Sequence, residues 1–149
     1  MIFQIKKATL SDANAVAQLF DAYRVFYKKA SDIALAQEFI SERLENEQSV
    51  IFSCISDDNQ YLGFVQLYPI FSSVSAKRSW VLNDLFVAAE HRGLGISKLL
   101  MNAAKQLAVE TDANGIALET SPDNKTAKAL YESLGYQQQD EYLHYFLAV

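Results

Sequence analysis

An α/β fold on a mostly antiparallel sheet is predicted by three features of this 149-residue chain. β-rich runs alternate with segments whose apolar residues recur at helical spacing. Three strand-like runs follow one another in the middle of the chain, separated only by turn-forming residues. Half of all residues are hydrophobic, which suits a single core at this length. No repeat, low-complexity tract or proline- and glycine-rich linker interrupts the sequence, so residues 1–149 read as one domain.

In chain order, residues 2–6 predict a short opening strand. Thr9 or Ser11, with Asp12, marks a helix start, and Val16, Leu19, Phe20 and Tyr23 then fall on one helical face. A second helix is predicted over 32–45, burying Ala36, Phe39, Ile40 and Leu44 and leaving Glu38, Glu42 and Arg43 on a solvated face. Strands are predicted at 50–56, 61–71 and 79–87. Asp57 to Gln60 has the composition of a hairpin turn and 72–77 that of a longer loop, so the three strands form an antiparallel meander. Cys54 and Trp80 read as core bulk. The next helix carries Ile96, Leu99, Leu100, Ala103, Ala104 and Leu107 on one face. Residues 116–119 predict a short buried strand, and Ala127, Leu130, Tyr131 and Leu134 line a helix that Gly135 ends. A last strand is predicted at 142–149.

A net charge of −5 and a pI near 5.0 argue against general nucleic-acid binding, which needs a basic face. The single cysteine excludes an internal disulfide framework and a cysteine-rich zinc site. His91 reads as a turn residue and His144 as part of the last strand. Neither has companions at metal-ligand spacing, so no metal is expected. The first residues lack the basic-then-apolar order of a signal peptide, and no apolar run is long enough to span a bilayer. A cytoplasmic protein without a membrane partner is expected.

The most informative segment runs from the strand Leu85-Phe86-Val87 through Arg92-Gly93-Leu94-Gly95-Ile96-Ser97 into a helix. Two of the chain's five glycines stand one residue apart beside an arginine at a helix start. Backbone N–H groups there are unpaired and carry the positive end of the helix dipole, and little side-chain bulk shields them from an anion. Arg92-x-x-Gly95-x-Ser97 resembles the pyrophosphate-binding motif of the GCN5-related N-acetyltransferases, Gln/Arg-x-x-Gly-x-Gly/Ala, with Ser97 as the departure. Downstream, Asn124-x-x-Ala127-x-x-Leu130-Tyr131-x-x-x-Gly135-Tyr136 is similar to a second block of that family. Two ordered blocks make the resemblance specific, whereas one short glycine motif would not.

The resemblance implies a single-domain acyl-CoA N-acyltransferase fold, with a mixed sheet of about seven strands flanked by about four helices. It also implies acetyl-CoA as the acetyl donor. The turn from Arg92 to Ser97 would hold the pyrophosphate. The strand Leu85-Phe86-Val87 would splay from its neighbour near 116–119 and pair with pantetheine like an added strand, and an amide near Phe86 or Val87 would polarise the thioester carbonyl. By resemblance Tyr131 is the general acid and Asn124 holds the pantetheine arm or a water. Their seven-residue spacing places both on one helical face. Tyr131 also lies on an apolar stripe, which by itself fits a core tyrosine.

An alkylammonium acceptor with a pKa near 10.4 must lose a proton at a cost on the order of 4–5 kcal/mol at pH 7, so a base is needed. Asp84 is the first candidate and Glu119 the second. Asp84 as a buried structural hydrogen-bonder is the competing reading. Segments around Tyr23, Tyr27 and Tyr68 resemble the acceptor side of polyamine and thialysine acetyltransferases and of small yeast histone/polyamine acetyltransferases, where rings can meet an ammonium. The expected acceptor is a small amine, either a polyamine or a lysine-like amino acid, attacking directly in a ternary complex. A protein lysine or N-terminus, and a coenzyme A-binding module without turnover, are the alternatives. Relatives in this group often pair through C-terminal strands, so the resemblance also suggests a homodimer.

Overall fold

The computed structural model describes residues 2–149 as two compact units, 2–118 and Glu119–Val149. The first holds five strands in spatial order β1-β2-β3-β4-β5: β1 (Phe3–Lys7), β2 (Val50–Ser56), β3 (Tyr61–Ser72), β4 (Lys77–Val87) and β5 (Ile116–Ala117). The first four pair antiparallel, as the turn composition predicts, and β5 joins β4 in parallel. Helices α1 (Ala13–Phe26) and α2 (Ile33–Glu45) connect β1 to β2, and α3 (Ile96–Glu110) connects β4 to β5.

Successive strand residues point to opposite faces, and the register sorts the core accordingly. Phe64 pairs with Phe86 and Gln66 with Asp84, so these four side chains share one face. Ile51, Phe64 and Phe86 join Val16, Ala17, Phe20, Ala36 and Ile40 in a single buried cluster, which places α1 and α2 over that face. Helix α3 packs on β1 to β4 and contributes nothing to that cluster, so it covers the other face.

Asp12 ties the start of α1 to the sheet. It is 3% exposed and its carboxylate accepts from the Thr9 amide at 2.7 Å, the Tyr61 hydroxyl at 2.6 Å and Lys6 Nζ at 2.9 Å. Burial would raise its pKa, but these partners together hold it down at about 2. At the other end of α1, Asp21 accepts from Ser31 Oγ and the Asp32 amide, each at 2.7 Å. That clamp fixes the short connection into α2, which Asp32 then caps through the Leu35 amide.

The second unit contains α4 (Lys125–Ser133), ended by Gly135 at φ +95°. Five expectations need correction. Residues 142–149 form no strand, and Tyr142, Leu143, Tyr145, Phe146 and Leu147 are exposed. Among the described residues the sheet has five strands rather than about seven, because β-rich composition supplies no ladder partner. The strand expected at 116–119 is only two residues long and is not buried. On α3, Leu99 is 38% exposed while Met101 and Ala108 are buried; the wide apolar stripe left its rotation undetermined until it met the sheet. The asparagine of the second motif is the cap of α4 rather than part of its helical face.

Candidate functional site

The N-terminal unit brings together an open strand edge, a glycine turn and an aromatic cleft. The edge arises because β5 is so short. It pairs with β4 only at Trp80–Ile116 and Val81–Ala117, and within this unit nothing continues the ladder alongside residues 82–87. The register shows which groups that edge offers. Gly63 and Val87 are directly opposite, with the Ala88 amide bonded to the Leu62 carbonyl, the signature of a non-hydrogen-bonded pair. Val87 and, two residues earlier, Leu85 therefore turn their N–H and C=O groups away from β3. Phe86 turns its own toward β3; a Cβ placed at Gly63 would meet the Phe86 carbonyl oxygen at 2.8 Å. Of the expected strand Leu85-Phe86-Val87, it is thus Leu85 and Val87, and not Phe86, whose amides turn toward the open edge.

The turn after β4 follows directly. Gly93 and Gly95 both have φ +80°, a region that side-chain-bearing residues avoid, and a Cβ at either would meet nothing within 4 Å. Gly95 caps α3, and the first bond into the helix runs from the Leu99 amide to the Gly95 carbonyl at 3.3 Å. The amides of Ile96, Ser97 and Lys98 thus have no intrahelical acceptor, and the neighbouring Leu94 is exposed. Arg92 is anchored locally. Its Nε donates to the Val87 carbonyl at 3.0 Å, and its guanidinium carbon sits 5.5 Å and 5.6 Å from the Phe26 and Phe86 ring centres. Arg92 therefore braces the turn against the strand rather than reaching freely outward.

A cleft of about 280 Å³ lies between α1, α2 and the sheet. All three tyrosines expected on the acceptor side, Tyr23, Tyr27 and Tyr68, line it together with Asp84. Tyr23 and Tyr27 pack edge to face at 5.0 Å, and Tyr23 also meets Phe64 and Phe86 edge-on. Burial, then the charge of Asp84, pushes the Tyr68 hydroxyl up to about 12, so it remains a proton-bearing donor at neutral pH.

Asp84 is 4% exposed. Burial pushes its carboxyl pKa above the usual range, opposed by hydrogen bonds from Gln66, Tyr23 and Asn83. Gln66 Nε2 donates at 2.6 Å and Asn83 Nδ2 at 3.2 Å, while Gln66 Oε1 accepts from Ser49 Oγ at 2.8 Å. No cation pairs with this carboxylate among the described residues. It is a buried acid held by neutral donors, an arrangement suited to exchanging a proton. β4 carries one extra residue against β3 where Gln66 faces Asp84 and Leu67 faces Leu82. This bulge at Asn83 breaks the alternation just before Asp84.

In the C-terminal unit, Asn124 Oδ1 accepts from the Ala127 amide at 3.1 Å as the cap of α4. Tyr131 is half-buried, with its ring 6.1 Å from that of Tyr136, and Glu119 is exposed. Sequence reasoning missed Gln66, Ser49, Arg24 and Lys29. Of these, only Gln66 left a visible signal, as an amide inside an otherwise apolar strand. Among the described residues no group of three or more histidine, cysteine or acidic side chains is placed to hold a metal, and no helix is long and apolar enough to cross a membrane.

Sheet, turn and open edge define an acyltransferase-type α/β fold. The acetyltransferase (GNAT) family model matches residues 15–136, and the chain belongs to that family. It is 46% identical over 146 residues to the uncharacterized N-acetyltransferase YhfO of Bacillus subtilis (strain 168), covering 97% of each protein. A probable acetyltransferase of Haemophilus influenzae shares 28% identity over 88% of each. Among solved structures, a probable acetyltransferase superposes with a TM-score of 0.93 at 41% identity, over 98% of this chain and 97% of that one. The chain is an N-acetyltransferase by this family membership.

Proposed function

We propose that this enzyme moves an acetyl group from acetyl-CoA to the primary amine of a small molecule, by direct attack with both substrates bound. The observation that carries the reading is Asp84, a buried carboxylate with a raised pKa that lines an aromatic cleft and stands on the open stretch of β4, one residue before Leu85. The residues fit the donor. Gly93 and Gly95 leave space above their backbone for a diphosphate, and Leu85, through its N–H and C=O, and Val87, through its N–H, its carbonyl being taken by Arg92, offer partners to an extended amide arm. Acetyl-CoA, when bound, supplies the activated thioester.

The chain's own groups do the rest. The Leu85 or Val87 amide donates to the thioester carbonyl oxygen, where charge develops. Asp84 takes the proton from the incoming ammonium, its raised pKa narrowing the gap to the amine, and Gln66 and Asn83 hold the carboxylate in place. The rings of Tyr23, Tyr27 and Tyr68 desolvate and orient the amine. The nitrogen loses its second proton as the amide forms and the departing sulfur gains one as the C–S bond breaks, so the two cancel; the motif in which Tyr131 stands implies its hydroxyl as the donor to sulfur, restored by the proton that the nitrogen gives up.

Thiol release from acetyl-CoA, followed with a panel of small amines, tests the reading. Amine-dependent release is expected, with kcat/KM falling at low pH as Asp84 becomes protonated. Acetyl-CoA should also raise the melting temperature. No shift at millimolar acetyl-CoA, or a shift without release for any amine, would leave a binding module instead.

A further inference from the structure

The cleft contains two cations that proton transfer does not require. Arg24 and Lys29 line it alongside Asp84, and the end of α1 brings them together. The Lys29 amide donates to the Arg24 carbonyl at 3.0 Å and the Lys28 amide to the Val25 carbonyl at 2.9 Å, with Lys28 at φ +66°. This is a Schellman closure made without glycine, at some cost in backbone strain. It folds Lys29 back over the last turn of α1. The Asp21 clamp on Ser31 and Asp32 fixes the chain immediately beyond. Neither Arg24 nor Lys29 forms an ion pair among the described residues, although the Asp21 carboxylate is near enough to Arg24 to feel its charge.

Two cationic residues lining one cleft with an acid, the half-buried Arg24 and the exposed Lys29 at its rim, make that cleft repel a polycation and attract a molecule of mixed charge. A volume of about 280 Å³ stands at the small end of ligand sites, which run roughly 300–1,000 Å³. We propose that the acceptor is a small aminocarboxylate, with its amine directed to Asp84 and its carboxylate read by Arg24 and Lys29. This rests on the acetyltransferase reading and narrows its acceptor away from polyamines. Basic residues at a helix C-terminus also complement the dipole; that role alone would affect stability and leave substrate preference untouched.

Matched acceptors that differ only by a carboxylate decide the matter: lysine against cadaverine and ornithine against putrescine, each followed by thiol release from acetyl-CoA. The aminocarboxylates should be favoured in kcat/KM by roughly 10- to 100-fold, the range of a charge-assisted hydrogen bond. In the double variant Arg24→Gln, Lys29→Gln that preference should collapse through a higher KM, with kcat nearly kept. Equal or better use of the diamines, use of neither series, or an unchanged preference in the double variant overturns the inference. Acetyl-CoA thermal shift, read in parallel, reports on the donor site alone. If that shift is present, the failure belongs to the acceptor; if it is absent, the acetyltransferase reading falls and takes this inference with it.

Discussion

The glycine turn and the aromatic cleft are both built around β4, yet they are made of different material. The turn works through backbone. Its amides, two glycines at φ +80° and the cap of α3 lie within a few residues of one another. The cleft works through side chains gathered from far apart: Tyr23 and Arg24 from α1, Phe39 from α2, Tyr68 from β3 and Asp84 from β4. Backbone sites depend on local conformation, so a substitution there acts through φ. Side-chain sites depend on packing and register, so a substitution acts through charge and shape.

The sharpest separation of the two regions comes from Asp84→Asn. Loss of the proposed base should lower kcat by roughly 10²- to 10⁴-fold while the acetyl-CoA thermal shift persists; undiminished turnover would return Asp84 to a purely structural role. The same variant has a pH signature. The folded pKa of Asp84 is raised, so its contribution to stability is fully present below the unfolded value, near 3.8, and is lost as pH rises through the folded pKa. Relative to wild type, Asp84→Asn should therefore melt at a more favourable temperature at pH 7 than at pH 3.5.

Gly95→Val probes the other region. A β-branched side chain at φ +80° costs roughly 1–2 kcal/mol, and the backbone must rearrange where the diphosphate would lie. Acetyl-CoA binding should weaken by more than tenfold with the fold retained, as read by titration and circular dichroism. Unchanged affinity would displace the donor site from this turn.

Asp12 provides a contrast within the acids. It is as buried as Asp84 but has the Thr9 amide, the Tyr61 hydroxyl and a lysine for partners, and its pKa falls from 3.8 to about 2. That difference is worth about 2 kcal/mol of stability above pH 4, lost as pH falls from 3.8 through 2. Asp12→Asn should lower the melting temperature at pH 7 and flatten the acid limb of the stability curve. An unaltered acid limb would refute the assignment. The smallest effect is expected of Tyr23→Phe. Its hydroxyl meets the Asn83 carbonyl at 3.4 Å and lowers the pKa of Asp84. Removing it should shift the pH–rate profile slightly upward, with stability changing by about 1 kcal/mol or less.

The contrast between the regions also explains how much could be read in advance. The meander of β2 to β4, both helices that follow β1, and the glycine turn were legible because alternation, helical spacing and turn residues act over a few positions. Tyr23, Tyr27 and Tyr68 were marked by resemblance, but nothing in their spacing shows that one cleft gathers them. Gln66 stood out only as a polar residue in an apolar run, and its place between Ser49 and Asp84 is a product of register. Arg24 and Lys29 look like ordinary surface charges until the closure of α1 places both at the lining of the cleft. In the opposite direction, 142–149 has strand composition and no strand, because propensity cannot supply a partner.

By itself the chain determined its element order, the helix starts at Asp12 and Asp32, and the left-handed glycines ahead of α3, since each depends on the conformational preferences of neighbouring residues. Tertiary structure decided the rest. Pairing of β3 with β4 put Gln66 against Asp84, and the bulge at Asn83 set the phase of the strand beyond it. A two-residue β5 left the Leu85 backbone and the Val87 N–H open. Those outcomes depend on which atoms meet across long stretches of sequence, and only closing the sheet brings them into contact.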